Sequence, residues 1–121
     1  MKIITNNPRV LDKHCEHYDV HFVCIGYLDL LELVRDRIHK GARLLTHPLS
    51  GSVKPNETPY KSIVIEEGED GVDFKSLMII EDAIVMSRNL LKTPKLFLED
   101  DKRMEDCRVI DLTLLDSALE K

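Results

Sequence analysis

The feature that most constrains this chain is an alternation of short strand and helix patterns over its first 46 residues. Strand-like apolar runs occur at Lys2–Thr5, Val20–Ile25 and Arg43–Thr46, and helical patterns with short connections separate them. Such an order favours right-handed crossovers and strands that run parallel under a cover of helices. We therefore expect an α/β fold with a small, mainly parallel sheet flanked by helices, in a Rossmann-like three-layer arrangement. Val20–Ile25, rich in β-branched residues, is predicted to be a central strand.

Capping patterns predict where the helices begin and end. Asn7 followed by Pro8 is a typical helix start. Asp29 with Glu32 three residues later resembles a capping box, and Gly41 stands where a helix-terminating glycine is common.

The second half of the chain is predicted to contain one more strand, at Ser62–Ile65, and a long helix that begins after Asp73. The segment after this helix is harder to assign. Its pattern favours a short strand at Arg108–Ile110 and a final helix at Leu112–Leu119, with Asp111 at the start of that helix.

Length and composition favour one domain that spans residues 1–121. With 121 residues, of which 43% are hydrophobic, the chain can bury a core without a disulfide or a structural metal. Cys15, Cys24 and Cys107 are widely spaced and form no C-x-x-C pair, so we expect reduced and mostly buried thiols.

Charge and hydropathy argue against two classes of partner. The net charge is −5 and no cluster of Lys and Arg is present, so a nucleic-acid partner is not expected. No apolar run reaches the length of a signal-peptide core or a membrane span. We therefore expect a cytoplasmic protein without a membrane partner.

A segment of unusual composition, His47–Tyr60, holds three prolines and one glycine. A loop this long in so small a domain is often functional. If the first and third strands are parallel neighbours, their carboxyl ends open on the same edge of the sheet, where ligands bind in such folds. The polar residues gathered there would be Thr5, Asn6, Asn7, His47, Ser50, Gly51, Ser52 and Lys54.

This edge is predicted to bind a small carboxylate or a phosphate. The helix start at Asn7 exposes backbone N–H groups, Gly51 permits close approach of the backbone, and Lys54 adds a positive charge. An alternative interpretation is that the asparagines only cap a helix and that the loop is ordinary turn chemistry.

Catalysis and metal binding are less well supported by the pattern. His47 beside Ser50 or Ser52 is a candidate acid or base, but no G-x-S-x-G elbow and no orienting third group accompany it. A second cluster, which invites a metal hypothesis, consists of His14, Cys15, Glu16, His17, His21 and Cys24. Its spacing does not bring three side chains together, so we expect neither a metal nor a cofactor.

Three segments resemble the GrdX family, small proteins encoded beside the glycine, sarcosine and betaine reductases of amino-acid-fermenting anaerobes. They are the opening TNNP, the stretch from Leu44 to Ile63, and the closing DLTLLDSA. The resemblance implies an accessory or ligand-binding role in that reductase system, with reductase subunits as possible partners, and it implies no particular reaction. A small enzyme of the same pathway that uses His47 is the alternative. The positions that match the family pattern also include Pro48, Asn56, Glu57 and Thr58, of which Asn56 and Thr58 join the candidate ligand-binding residues.

The long helix after Asp73 suggests a further possibility. It carries apolar residues on nearly every side from Phe74 to about Lys92. Such breadth predicts burial against the sheet or an interface with a second copy of the chain. A homodimer is therefore a third expectation.

Overall fold

The computed structural model describes residues 1–49, 54–68, 71–92 and 101–120, which form an α/β fold. The elements are β1 (Lys2–Thr5), α1 (Pro8–His14), β2 (Asp19–Phe22), α2 (Tyr27–His39), β3 (Arg43–Leu44), β4 (Ser62–Glu66), α3 (Phe74–Leu90) and α4 (Asp101–Leu119). Their order confirms the α/β class and the four predicted strands up to residue 66.

The sheet is mixed, so the prediction of a mainly parallel sheet was wrong. The strand order is β2-β1-β4-β3, with β1 parallel to β2 and β4 antiparallel to both of its neighbours. The reason is that the last strand inserts between the first and the third and returns in the opposite direction. The Rossmann-like arrangement is therefore unconfirmed.

The strand β2 lies at an edge of the sheet. The sequence had predicted a central position for it. It ends at Phe22 because its partner β1 ends at Thr5, opposite Phe22, where the chain turns into α1. Of the predicted strand residues beyond Phe22, Val23 still donates its N–H to the Thr5 carbonyl, and Cys24 and Ile25 connect to α2 instead.

Helices cover both faces of the sheet because the strand residues alternate in direction. On one face Ile4, Ile63 and Ile65 pack in a core with residues of α2 and α3. On the other face Ile3 and Val64 pack with residues of α1 and α4. The apolar centres of β1 and β4, Ile3–Ile4 and Ile63–Ile65, are typical of a sheet buried on both sides.

The strands β1 and β3 are not neighbours, contrary to the expectation, but they run in the same direction because both are antiparallel to β4. The carboxyl ends of β1, β2 and β3 therefore open on one edge, together with the first residue of β4. Thr5 at the end of β1 is directly opposite Ser62 at the start of β4. This edge, called the carboxyl edge below, holds Thr5, Asn6 and Asn7 beside the start of β4.

One helix start differs from the sequence prediction and another agrees with it. Helix α2 begins at Tyr27 with Gly26 as its N-cap, and not at Asp29, because Tyr27 is buried in the core and Leu30 N–H already bonds the Gly26 carbonyl. Helix α3 begins as predicted, since the Asp73 carboxylate accepts the N–H of Ser76.

The C-terminal segment is a single helix in place of the predicted strand and helix. Residues Arg108–Ile110 lie inside α4. The buried positions Cys107, Asp111 and Leu115 recur every four residues, which is the period of a helix packed along one side.

Two of the three cysteines are exposed, so the expectation of mostly buried thiols was wrong. Cys15 follows α1, Cys24 lies in the connection between β2 and α2, and only Cys107 is buried. Over the described ranges, no helix is both long and apolar enough to cross a membrane.

Candidate functional site

The carboxyl edge is organised around a buried carboxylate that belongs to the protein itself. Asp111 of α4 is only 7% exposed. Its Oδ1 accepts the backbone N–H of Ser62 at 3.1 Å, and its Oδ2 accepts the Ser62 hydroxyl at 2.7 Å and the Asn7 side-chain amide at 3.0 Å. The Ser62 hydroxyl also lies 2.6 Å from that of Thr5. One carboxylate therefore joins β1, β4, α4 and the start of α1.

Asn7 uses its whole side chain within the protein. Its Oδ1 accepts the N–H of Arg9 and so caps α1, while its Nδ2 also donates to the carbonyl of Arg108. The Asn7 backbone N–H donates to the Thr5 hydroxyl. The sequence predicted an external anion at this helix start, but the negative charge that Asn7 contacts is Asp111.

Asn6 fastens the long loop to the end of β1. Its side-chain amide donates to the carbonyls of Ile25 and Pro59 at 2.9 and 2.8 Å, and its Oδ1 accepts the N–H of Lys61 at 2.9 Å. A buried amide with all these partners rigidifies the contact, because each unpaired group would carry a desolvation cost. The TNNP turn and residues 59–62 are thus in direct contact.

The predicted loop residues are divided between this edge and the surface. Thr58 is buried at the edge and Asn56 is half-buried, whereas Lys54 is exposed and bonds Glu57 through its backbone N–H. His47 is exposed, and its Nδ1 accepts the N–H of Leu49 at 3.1 Å. Ser50, Gly51 and Ser52 lie outside the described residues.

Two small cavities adjoin Asp111, each with a volume of about 20 Å³, enough for one water molecule. Lys61, Asp111 and Leu114 line both. The first is also lined by Tyr27, Thr58, Tyr60, Cys107 and Ile110, and the second by Thr46, Ser62, Leu115 and Ala118. His47 lines neither of them.

Burial dominates the ionisation of the three charged or phenolic groups in the first cavity. It raises the pKa of Asp111, against the opposing hydrogen bonds from Asn7 and Ser62 and the charge of Lys61. It lowers the pKa of Lys61, against the opposing charge of Asp111. Burial, reinforced by Asp111, also raises the pKa of Tyr27. All three groups are therefore shifted towards their neutral forms.

Comparison with known families shows to which protein family the chain belongs. A family model described as GrdX-like protein matches residues 2–120. The chain belongs to the GrdX-like family. Membership of the GrdX-like family points to an association with the glycine reductase system. No curated protein and no solved structure gives a significant match.

The histidine-rich segment of this GrdX-like chain has a structural use. His14 is buried, its Nε2 lies 2.7 Å from Asp116 Oδ1 on α4, and its ring packs edge-on against Tyr18. Within the ranges that the structure describes, no group of three or more His, Cys, Asp or Glu side chains is arranged to hold a metal ion.

Sequence reasoning missed three residues of the site in this GrdX-like chain, namely Tyr27, Lys61 and Asp111. A signal for Asp111 was present, because it lies four residues from both Cys107 and Leu115 and so shares their buried helical face. A charged residue on such a face requires a partner. Lys61 directly precedes the apolar strand β4, which also favours burial.

Proposed function

We propose that this protein is an accessory, ligand-binding protein of the glycine, sarcosine and betaine reductase system. Its carboxyl edge receives the carboxylate of a small ligand, beside Lys61. Family membership supports the metabolic context. The observation that carries the proposal is a lysine that is only 8% exposed and lines both cavities of this edge.

The charge of the site favours a zwitterion over a simple anion. Lys61 and Asp111 carry opposite charges when ionised, so a ligand with one carboxylate and one ammonium group adds no net charge to the buried site. Its carboxylate pairs with Lys61 and its ammonium with Asp111. A phosphate brings only negative charge beside Asp111, which is unfavourable in a poorly hydrated site.

The size of the site favours a short ligand. Each cavity has room for about one water-sized group, while Ile110 and Leu114 at the first cavity are 43% and 39% exposed. A ligand of this kind inserts its polar end beside Lys61 and lays its carbon atoms over these two side chains. Glycine, sarcosine and betaine have this combination of a carboxylate, a cationic nitrogen and few carbon atoms.

Calorimetric titration of the purified chain tests the proposal. We expect glycine or betaine to bind, acetyl phosphate to bind more weakly, and Lys61→Met to lose the binding. Lys75→Met is the matched control, because Lys75 is exposed on α3. Purified reductase subunits are titrated in the same way, since a subunit is the other partner that the family suggests. Absence of binding to all of these would contradict the proposal.

A further inference from the structure

A second cleft lies between α1 and α4, away from the carboxyl edge. It has a volume of about 210 Å³, whereas each cavity at Asp111 has about 20 Å³. Its lining residues are Lys13, His14, Tyr18, Asp116, Leu119 and Glu120. Tyr18 directly precedes the first residue of β2, while the carboxyl edge lies at the last residue of that strand. This opening, called the α1–α4 cleft below, is therefore a separate candidate site.

The α1–α4 cleft is built around a histidine that is held by a carboxylate. His14 is 8% exposed, and its Nε2 lies 2.7 Å from Asp116 Oδ1. Lys13 Nζ donates to Asp116 Oδ2 at 2.5 Å. Partial burial opposes the ionisation of Asp116, but the hydrogen bonds from Lys13 and His14 outweigh it and lower the pKa of this carboxyl. Because an ionised carboxylate only accepts hydrogen bonds, Nε2 of His14 carries a ring proton.

The other ring nitrogen of His14 is available to a ligand. Among the residues that the structure describes, none forms a hydrogen bond with Nδ1. The described side-chain atoms that are buried without a partner are Asn56 Oδ1 and Ser87 Oγ, so Nδ1 is in contact with solvent. In a neutral imidazole whose proton is on Nε2, Nδ1 is a hydrogen-bond acceptor. The α1–α4 cleft thus presents an acceptor that the N–H group of a ligand can satisfy.

The charge of the α1–α4 cleft favours a cationic donor. Lys13 and Asp116 carry opposite charges and pair with each other. Glu120 is exposed and also lines the cleft, and within the described ranges no cation pairs with its carboxylate. While His14 is neutral, these residues together carry one net negative charge. A positively charged ligand is attracted by this charge and a carboxylate or phosphate is repelled.

The α1–α4 cleft also offers apolar surface for a short carbon chain. Tyr18 and Leu119 are half-buried, because one part of each side chain packs against the core that contains Ile3 and Val64, while both residues also line the cleft. The Tyr18 ring lies beside that of His14, with 5.4 Å between the ring centroids. Carbon atoms placed on Tyr18 and Leu119 are removed from water, and an aromatic ring also attracts an ammonium group.

We propose that the α1–α4 cleft binds a primary ammonium ion that carries a short carbon chain. The ammonium group donates one hydrogen bond to His14 Nδ1 and pairs with the Glu120 carboxylate, and the carbon chain lies on Leu119 and Tyr18. This inference goes beyond the proposed function, because it assigns a second ligand class to a different part of the molecule. It does not depend on Lys61.

A titration of the full chain with three matched ligands tests the inference. Propylammonium, 1-propanol and propionate have the same carbon chain and differ in charge. The ring nitrogens of the labelled histidines are followed by NMR at constant ionic strength and at about pH 8, above the pKa of a free imidazole. We expect propylammonium to shift the His14 resonances to saturation, 1-propanol to do so more weakly, and propionate to leave them unchanged. Glu120→Gln should weaken the binding of propylammonium by a factor of about 2 to 5. Glu16→Gln, an exposed change outside the cleft lining, should not.

The titration of the wild-type chain decides the outcome without any substitution. Stronger binding of propionate than of propylammonium overturns the inference, because the cleft would then prefer an anion. Shifts that never saturate, or that are equal at His14 and at the exposed His17, also overturn it, since they report a general effect of the added salt. Equal weakening by Glu120→Gln and Glu16→Gln would place the ion elsewhere. Lys61→Met should leave the binding of propylammonium unchanged, so this inference and the proposed function can fail separately.

Discussion

At the scale of single residues, Asp111 is the side chain on which this edge of the molecule depends. Ser62 donates to it through both its N–H and its hydroxyl, Asn7 donates a side-chain amide, and Lys61 supplies an opposite charge. A buried carboxylate is tolerated when its lone pairs are satisfied in this way. The same contacts fix α4 against the sheet.

Replacement of Asp111 by alanine should therefore destabilise the protein strongly. The change removes the negative charge that acts on Lys61 and the acceptor of the Ser62 N–H and the Asn7 amide. We expect the free energy of unfolding in urea to fall by about 3–5 kcal/mol. Asp106→Ala, at an exposed position of the same helix, should change it by less than about 0.5 kcal/mol. Equal effects of the two substitutions would contradict this role of Asp111.

Asp111 should also give the stability a characteristic pH dependence. Because its pKa in the folded protein is raised above the ordinary value of 3.8, the folded state binds this proton more tightly than the unfolded state. Its contribution to stability is full below pH 3.8 and is lost as the pH rises through the folded pKa. Urea titrations of the wild type and Asp111→Asn from about pH 3 upwards should show the stability difference, wild type minus variant, decreasing with pH. A difference that increases with pH would reverse the sign and refute the assignment.

At the scale of elements, Gly41 determines how α2 leads into β3. Its φ of +108° is a conformation that other residues rarely adopt. A Cβ atom at this position would lie 2.5 Å from the carbonyl oxygen of Gly68, which follows β4. The turn after α2 is thus packed directly against the far end of the sheet.

Alanine substitution at the two glycines with positive φ separates two contributions to the loss of stability. One is the strain of the backbone conformation, and the other is the steric clash of the added Cβ atom. Gly71 has a φ of +84° and open space around its position, so Gly71→Ala should cost only the conformational term of about 1–2 kcal/mol. Gly41→Ala adds a backbone clash and should cost more in thermal or urea unfolding. Equal costs would show that the contact with Gly68 relaxes freely.

At the scale of the whole molecule, the helices cover both faces of the sheet, but the outer side of α3 remains uncovered. Phe74 and Met78 are 73% and 67% exposed, and Val85 and Met86 are more than half exposed. The sequence of α3 is apolar on nearly every side for this reason. Its inner side packs on α2 and the sheet, while its outer side faces away from them. Exposed apolar groups that adjoin on one helix commonly mark an interaction site.

We expect a second copy of the chain to cover this side of α3. Light scattering should then give a mass above that of one chain for the wild type, and the double change Met78→Glu with Val85→Glu should lower it at the same concentration. Asp82→Asn, an exposed change on the same helix, serves as the control. A wild type that is monomeric at all concentrations would rule out the homodimer.

The local pattern of the sequence was sufficient for several elements. It located β1, β4 and the start of α3, because alternation and capping depend on neighbouring residues alone. It also placed Asn6 and Asn7 in the turn between β1 and α1. The family resemblance, carried by the TNNP and loop motifs, agrees with the match over residues 2–120.

Other features were decided by contacts between distant residues. The insertion of β4 between β1 and β3, the edge position of β2 and the continuity of α4 all depend on which surfaces pack together, which no local pattern encodes. The same is true of the buried charge at the start of α1, because Asn7 and Asp111 are 104 residues apart. The sequence supplied the apolar periods, the caps and the amide donors of this edge. Only the tertiary structure brought Asp111 and Lys61 to them, since burial of both charges became tolerable once α4 packed across the end of the sheet.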